Sequence, residues 1–435
     1  MRHSVGQMVR SVGAFLVADG LGIVSVVLFS IVLARTRGAD ELGVFSFSMA
    51  QALLLQMFVD ANFAVTLAQE VARTGKVAAS LRDAQLTKWY LAVVGLPVGI
   101  GLTLLVGRSD AVVPTVAAFV IMLVHSFVGS YAAALQGLGK MTLLGTVIAV
   151  TSTAGALGGI VALLLGYPLF VVILAQGLAN AIPAWVWLGS ILRRWEPGWF
   201  PWRTYVGEFL RDVATRRLWG VCGHSVRVLR ERWYWIAFSF LTVGYARFGV
   251  LFLGWMGAAP AVIGAYSAAQ RFVVVLRILP NAFFRVLLPQ FAREPGRFSL
   301  LWTVGVSSAV GIPGAAVVAA LAPWLIEQTF RIPEAVTMLQ VMGWALPAVM
   351  LSHLAEAYGL TFRRYQRLIV VWAAIVLGCG FLAATVAFPQ WGGLAVAAIY
   401  VGMESLYALG VLGMVGVRCP QREVIPLPEE HVARF

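Results

Sequence analysis

The chain has 435 residues, 60% of them hydrophobic and only 12% charged, where a soluble domain carries about 25% charged residues. With 32 basic and 19 acidic side chains and a mean hydropathy of +0.86, it cannot clothe the surface of a water-soluble fold of this length. The net charge of +13 would suggest nucleic acid in a soluble protein; here it is accounted for by basic residues at cytoplasmic helix ends facing anionic headgroups, and no nucleic-acid partner is expected.

Twelve apolar runs are long enough to span about 30 Å of hydrocarbon. They cover residues 12–34, 42–69, 86–107, 111–136, 141–165, 168–192, 233–254, 262–290, 300–322, 336–360, 366–388 and 392–417. An all-α polytopic membrane protein of twelve transmembrane helices is expected. The first run lacks a small-residue cleavage site and reads as an uncleaved helix.

The longest polar stretch, 193–232, divides the runs six and six. It predicts an N-terminal lobe over 1–192, a cytoplasmic linker over 193–232, a C-terminal lobe over 233–417 and a cytoplasmic tail over 418–435. Within the linker, Glu208 to Arg232 interleaves Phe209, Leu210, Val213, Leu218 and Trp219 with arginines, as an amphipathic helix on the inner leaflet would. With the N-terminus inside, 24 basic residues fall in cytoplasmic segments, including four within 70–88, and four fall outside: Arg35, Arg37, Arg108 and Arg331. That bias puts both termini in the cytoplasm.

The halves also echo each other. Gly38-Ala39 followed by Gly43-Val44-Phe45-Ser46 matches Gly257-Ala258 followed by Gly264-Ala265-Tyr266-Ser267, and Gln136-Gly137-Leu138 matches Tyr358-Gly359-Leu360. The G-x-aromatic-S elements are 221 residues apart and the glycine-leucine pairs 222, which predicts two six-helix bundles related by a parallel pseudo-repeat.

The segments Leu33 to Gly43, Asp60 to Glu70 and Gly264 to Arg271 resemble the polysaccharide-export and O-antigen flippase family, within the multidrug, oligosaccharidyl-lipid and polysaccharide exporter superfamily. Two positions depart from the family pattern: Asn62 stands where members usually have glycine, and Gly249 stands where many have aspartate two residues after Arg247. The resemblance implies two bundles around a central cavity in a bacterial inner membrane. It further implies alternating-access flipping of an isoprenoid-pyrophosphate-linked oligosaccharide for cell-surface polysaccharide assembly, beside polymerase or glycosyltransferase partners.

The eighth run supports an anionic ligand on its own residues. At 100° per residue, Ser267, Gln270, Arg271, Arg277, Asn281 and Arg285 share a sector of about 120°. A stripe of cations in a bilayer should face water or a partner, because each costs about 2.5 to 3.5 kcal/mol in lipid. The arginine fork suits phosphate oxygens. Arg271 and Arg277 read as cavity lining or as members of a structural ion pair, Arg285 as cavity lining or a snorkelling side chain, and Arg247 as intermediate. Pro280 is expected to kink this helix.

Asp19, Asp60, Glu356 and Glu404 also lie within apolar runs, with His353 on the same helix face as Glu356, and Tyr400 and Tyr407 flanking Glu404. Such acids can load a proton or hold sodium, or can neutralise the intramembrane arginines. There is no Walker A, HExxH or GxSxG sequence, and Cys222, Cys379 and Cys419 are too far apart for a CxxC motif. A transporter rather than an enzyme is expected, with no cofactor or metal. The alternatives are a multidrug or organic-cation antiporter of the same superfamily and a membrane scaffold for glycan assembly.

Overall fold

A computed structural model describes residues 2–61, 63–75, 77–106, 108–195, 236–237, 239–278, 280, 300–359 and 363–416, with 207, 223, 226, 227 and 230. The linker beyond 195 falls largely outside the described residues, and the tail falls wholly outside them. Among the described residues there is no strand. An all-helical chain is what a bilayer demands, since lipid offers no partner to an open N–H or C=O.

The helices bounded among the described residues are α1 (Arg2–Asp60), α2 (Phe63–Thr74), α3 (Ala78–Leu105), α4 (Ser109–Gly137), α5 (Met141–Leu164), α6 (Leu169–Trp195), α7 (Phe248–Trp255), α8 (Pro260–Leu276), α9 (Leu300–Thr329), α10 (Glu334–Gly343), α11 (Leu346–Gly359) and α12 (Arg363–Gly416). Among the described residues, seven stretches are long and apolar enough to cross a membrane, or eight if α10 and α11, bent by 42° at residues 344–345, form one span. The chain is a multi-pass membrane protein. Two stretches, of 41 and 49 residues, each take in most of two runs read from the sequence and are broken at Gly38, between the runs, and at Gly392, where the last run begins.

The chain divides into two compact units, one comprising 5–246 and 254–257, the other 1–4, 247–253 and 258–435. In the first, α5 packs along α6, and α4 is bordered by α2, α3 and α6. Small residues permit the α5–α6 approach: a Cβ on Gly155 would lie 2.9 Å from the Gln176 carbonyl oxygen and one on Gly158 2.6 Å from Ala179 Cβ. In the second unit, α11 packs on α9 and α12, and α10 on α8, α9 and α12.

Both glycines that open the repeated sequence element have left-handed backbones, Gly38 at φ 84° and Gly257 at φ 69°. Gly38 combines this with ψ −178°, a region open essentially to glycine alone. Gly38→Ala is therefore expected to cost about 1 to 3 kcal/mol, although a Cβ there would meet no neighbour within 4 Å. Thermal unfolding of the detergent-purified protein measures it.

Three details differ from the sequence reading. The run 42–69 is not one helix: it stops at Asp60, turns through Ala61 at φ 40° and resumes at Phe63. Lys88, counted among the cytoplasmic basic residues, lies within α3 and is 0% exposed. The run 262–290 is not continuous either: α8 ends at Leu276, Arg277 is a turn, and Ile278 and Pro280 are again helical, a break one turn before the proline expected to kink the run.

Candidate functional site

α8 starts at Pro260, whose fixed φ and missing N–H suit a first turn. One face then carries Ser267, Gln270, Arg271 and, at the C-cap, Arg277. Ser267 and Gln270 are buried, while Arg271 and Arg277 are half-buried. Asn281 and Arg285, the remainder of the predicted stripe, lie outside the described residues.

The Arg277 guanidinium pairs with the Glu404 carboxylate of α12 and donates to the Tyr400 hydroxyl, with the Tyr400 ring centroid 5.7 Å away. Glu404 is 2% exposed. The ion pair thus ties the end of α8 to α12, and the acid neutralises an intramembrane arginine, one of the two roles open to it on sequence grounds.

Arg247, just before α7, lies within electrostatic range of Arg277, and Arg271 within range of Arg247. Both side chains are half-buried, and neither forms a hydrogen bond or ion pair among the described residues. The Tyr266 hydroxyl, within range of Arg277 and Tyr400, is buried with no hydrogen-bond partner among the described residues. The second unit therefore gathers three guanidiniums, Arg271 within electrostatic range of Arg247 and Arg247 of Arg277, only the last of them paired with a carboxylate, beside an unspent hydroxyl. Such a group is poised for a polyanion with several oxygens.

Gly249, the departure from the family pattern, lies against Tyr266. A Cβ there would overlap the phenol ring, so the aromatic occupies the space an acid would need.

The other C-terminal acid is also partnered. Tyr407 of α12 donates to Glu356 Oε1 on α11. His353 Nδ1 is 2.9 Å from the Val349 carbonyl oxygen, which accepts only, so the ring proton sits on Nδ1. His353 and Glu356 share a helix but do not bond each other through these contacts.

In the first unit Asp60, the last residue of α1, pairs with Lys88 of α3 and accepts from Ser126 Oγ of α4 at 3.0 Å. Lys88 Nζ also donates to the Ser126 carbonyl oxygen at 2.7 Å and Ser130 Oγ at 2.8 Å. The side chain of Asp19 lies outside those described. Lys88 and Tyr266 are the two members that sequence reasoning missed. The signal for Lys88 was present: it is one of three lysines in a chain of 29 arginines, and it stands inside an apolar run. Among the described residues no group of three His, Cys, Asp or Glu side chains could hold a metal.

No curated protein sequence matches the chain. Among solved structures, the lipid II flippase MurJ in its inward closed conformation matches with a TM-score of 0.68 at 11% identity, over 92% of this chain and 87% of that one. An inward-facing multidrug resistance MATE family transporter of the MOP superfamily matches with a TM-score of 0.53 at 14% identity, over 93% and 94% of the two chains. The eukaryotic MATE transporter AtDTX14 gives 0.54 at 14% identity, over 94% of each. At such identities the likeness is one of fold. The sequence model of the polysaccharide biosynthesis protein family matches residues 8–294, and the chain, a multi-pass helical protein of MOP-type transporter fold, belongs to that family.

Proposed function

We propose that this protein flips an isoprenoid-pyrophosphate-linked oligosaccharide across a bacterial cytoplasmic membrane by alternating access between two six-helix lobes, 1–192 and 233–417. The linker 193–232 lies on the inner leaflet and both termini are cytoplasmic. One observation carries the reading: Arg247 and Arg271 are half-buried, adjacent and without an acidic partner among the described residues. Two such cations repel each other and are costly in a membrane unless an anion joins them. A pyrophosphate, with oxygens for two forks, fits that need. An organic cation would be repelled by the same pair, which sets the drug-antiporter reading aside.

Arg277, already spent on Glu404, serves by holding α8 against α12. Arg247→Ala and Arg271→Ala are each expected to reduce surface glycan at least about tenfold, the worth of one charge-assisted hydrogen bond, with protein level unchanged. Arg271→Lys should rescue poorly, because a point charge replaces the fork. The assay is surface polysaccharide in cells whose only copy is the variant. Full export by both alanine variants would remove pyrophosphate recognition from this site.

A further inference from the structure

We infer that the end of α9 holds a zwitterionic phospholipid, with Glu327 taking its ammonium, Arg331 taking its phosphate and an apolar stripe of α9 carrying an acyl chain.

A cleft of about 610 Å³ lies where α9 gives way to α10, within the range of about 300 to 1,000 Å³ typical of small-molecule sites. Ile326, Ile332 and Pro333 form apolar walls, and Glu327, Gln328 and Arg331 supply the polar lining. Ile326 and Ile332 are buried, whereas Glu327 and Arg331 are exposed. The two charged side chains share the cleft without pairing with each other, and neither forms a hydrogen bond or ion pair among the described residues. Glu334, the next charged residue along the chain, opens α10 and does not line the cleft.

One uncommitted carboxylate and one uncommitted guanidinium suit a ligand that carries both signs of charge. An ammonium donates to the carboxylate and a phosphate accepts from the guanidinium fork, both bonds being charge-assisted. A purely anionic ligand would set its charge against Glu327, and a purely cationic one would set its charge against Arg331.

The backbone holds Arg331 at this rim. α9 closes with the Phe330 and Arg331 N–H groups both donating to the Ile326 carbonyl oxygen, at 2.9 and 2.8 Å, and Arg331 takes a left-handed φ of 58°. Glycine is the ordinary occupant of such a closing position, so the arginine keeps a charge here despite backbone strain. Phe330 turns inward and meets Phe272 of α8 edge-on, which anchors the closing turn.

Two features point to a membrane lipid rather than a dissolved zwitterion. The first is depth. The 30 residues of α9 rise about 45 Å, the thickness of a bilayer with its headgroup layers, so the last turn lies among headgroups. Trp324, exposed one turn earlier, is the residue type enriched at that boundary. The second is a track. At 100° per residue, Val317, Leu321, Trp324 and Gln328 fall within a sector of about 60°. The first three are exposed and apolar, and Gln328 lines the cleft, so the stripe leads from hydrocarbon to headgroup site.

This assignment goes beyond the transport function proposed above and does not depend on it. The full-length protein is reconstituted in vesicles of equal parts phosphatidylethanolamine and phosphatidylglycerol, with a trace of one or the other bearing a photoreactive acyl chain. Adducts at Val317, Leu321 and Trp324 are compared with those at Leu382 and Val386, exposed positions of α12 that report general lipid contact. In wild type, phosphatidylethanolamine should exceed phosphatidylglycerol at the α9 stripe by about tenfold relative to that reference, the worth of one charge-assisted hydrogen bond. Glu327→Gln should bring the ratio to the α12 value by admitting the anionic lipid. Arg331→Gly should lower phosphatidylethanolamine labelling of the stripe to its α12 level, and because glycine suits the left-handed φ, that loss cannot come from a damaged helix end. Equal labelling by the two lipids in wild type, a preference for phosphatidylglycerol, a preference that survives Glu327→Gln, or labelling unmoved by Arg331→Gly would overturn the assignment.

Discussion

Glu404→Ala and Arg277→Ala are each expected to lower stability by about 3 to 5 kcal/mol, whereas Arg277→Met combined with Glu404→Leu should cost far less than the two losses added together. The asymmetry follows from where the pair sits. Glu404 is 2% exposed and Arg277 is half-buried, so removing either partner strands a charge in a medium that cannot solvate it. Removing both leaves an apolar contact between α8 and α12. Glu404→Ala also frees Arg277 to repel Arg247, with which it already interacts. It should therefore be the worse of the two single variants. Unfolding of the four proteins in mixed detergent micelles closes the cycle, and a coupling near zero would show that the pair contributes nothing to the α8–α12 contact.

The apolar runs were legible because their residues leave no choice: about twenty uncharged positions in succession can satisfy a bilayer only as helix. Breaks between the runs were legible, glycine marking two of them at Gly38 and Gly257, but the break within the run 42–69 was not. Ala61 takes a left-handed φ with no such mark, since alanine is among the best helix formers; what bends the chain there is tertiary, with Ala61 itself fully buried.

The same division holds for the site. Helical periodicity placed Arg271 and Arg277 on one face of α8, but it could not say that Arg277 reaches Glu404 across 127 residues of sequence. The proximity of Tyr400 and Tyr407 to Glu404 in sequence was informative in an unexpected way. Tyr400 joins Glu404 on Arg277, while Tyr407 turns to Glu356. Lys88 was misplaced because counting basic residues by segment assumes that a lysine at the edge of an apolar run points to water. A run read as hydrophobic on average can still bury one charge when a partner such as Asp60 waits on another helix.

Gly249→Asp is expected to destabilise the protein by about 4 kcal/mol or more and to deplete it from the membrane. Tyr266 is the reason. Its ring is 0% exposed and lies where the new Cβ would have to be. Displacing a packed aromatic costs about 1 to 3 kcal/mol by itself, so Gly249→Ala should show that part alone. The carboxylate adds the cost of burying a charge for which the Tyr266 hydroxyl is a poor counterpart. Tyr266→Ala together with Gly249→Asp opens the space and sets a carboxylate where the Tyr266 ring stood, within electrostatic range of Arg277. That double variant should recover membrane abundance relative to Gly249→Asp and yet export little glycan, because an internal acid would then reduce the positive charge of the arginine group proposed to meet the pyrophosphate. Immunoblotting of the membrane fraction and surface-glycan staining separate the two effects. A Gly249→Asp protein that accumulates and melts like wild type would show that Tyr266 moves aside readily and that the absence of an acid at this position has another cause.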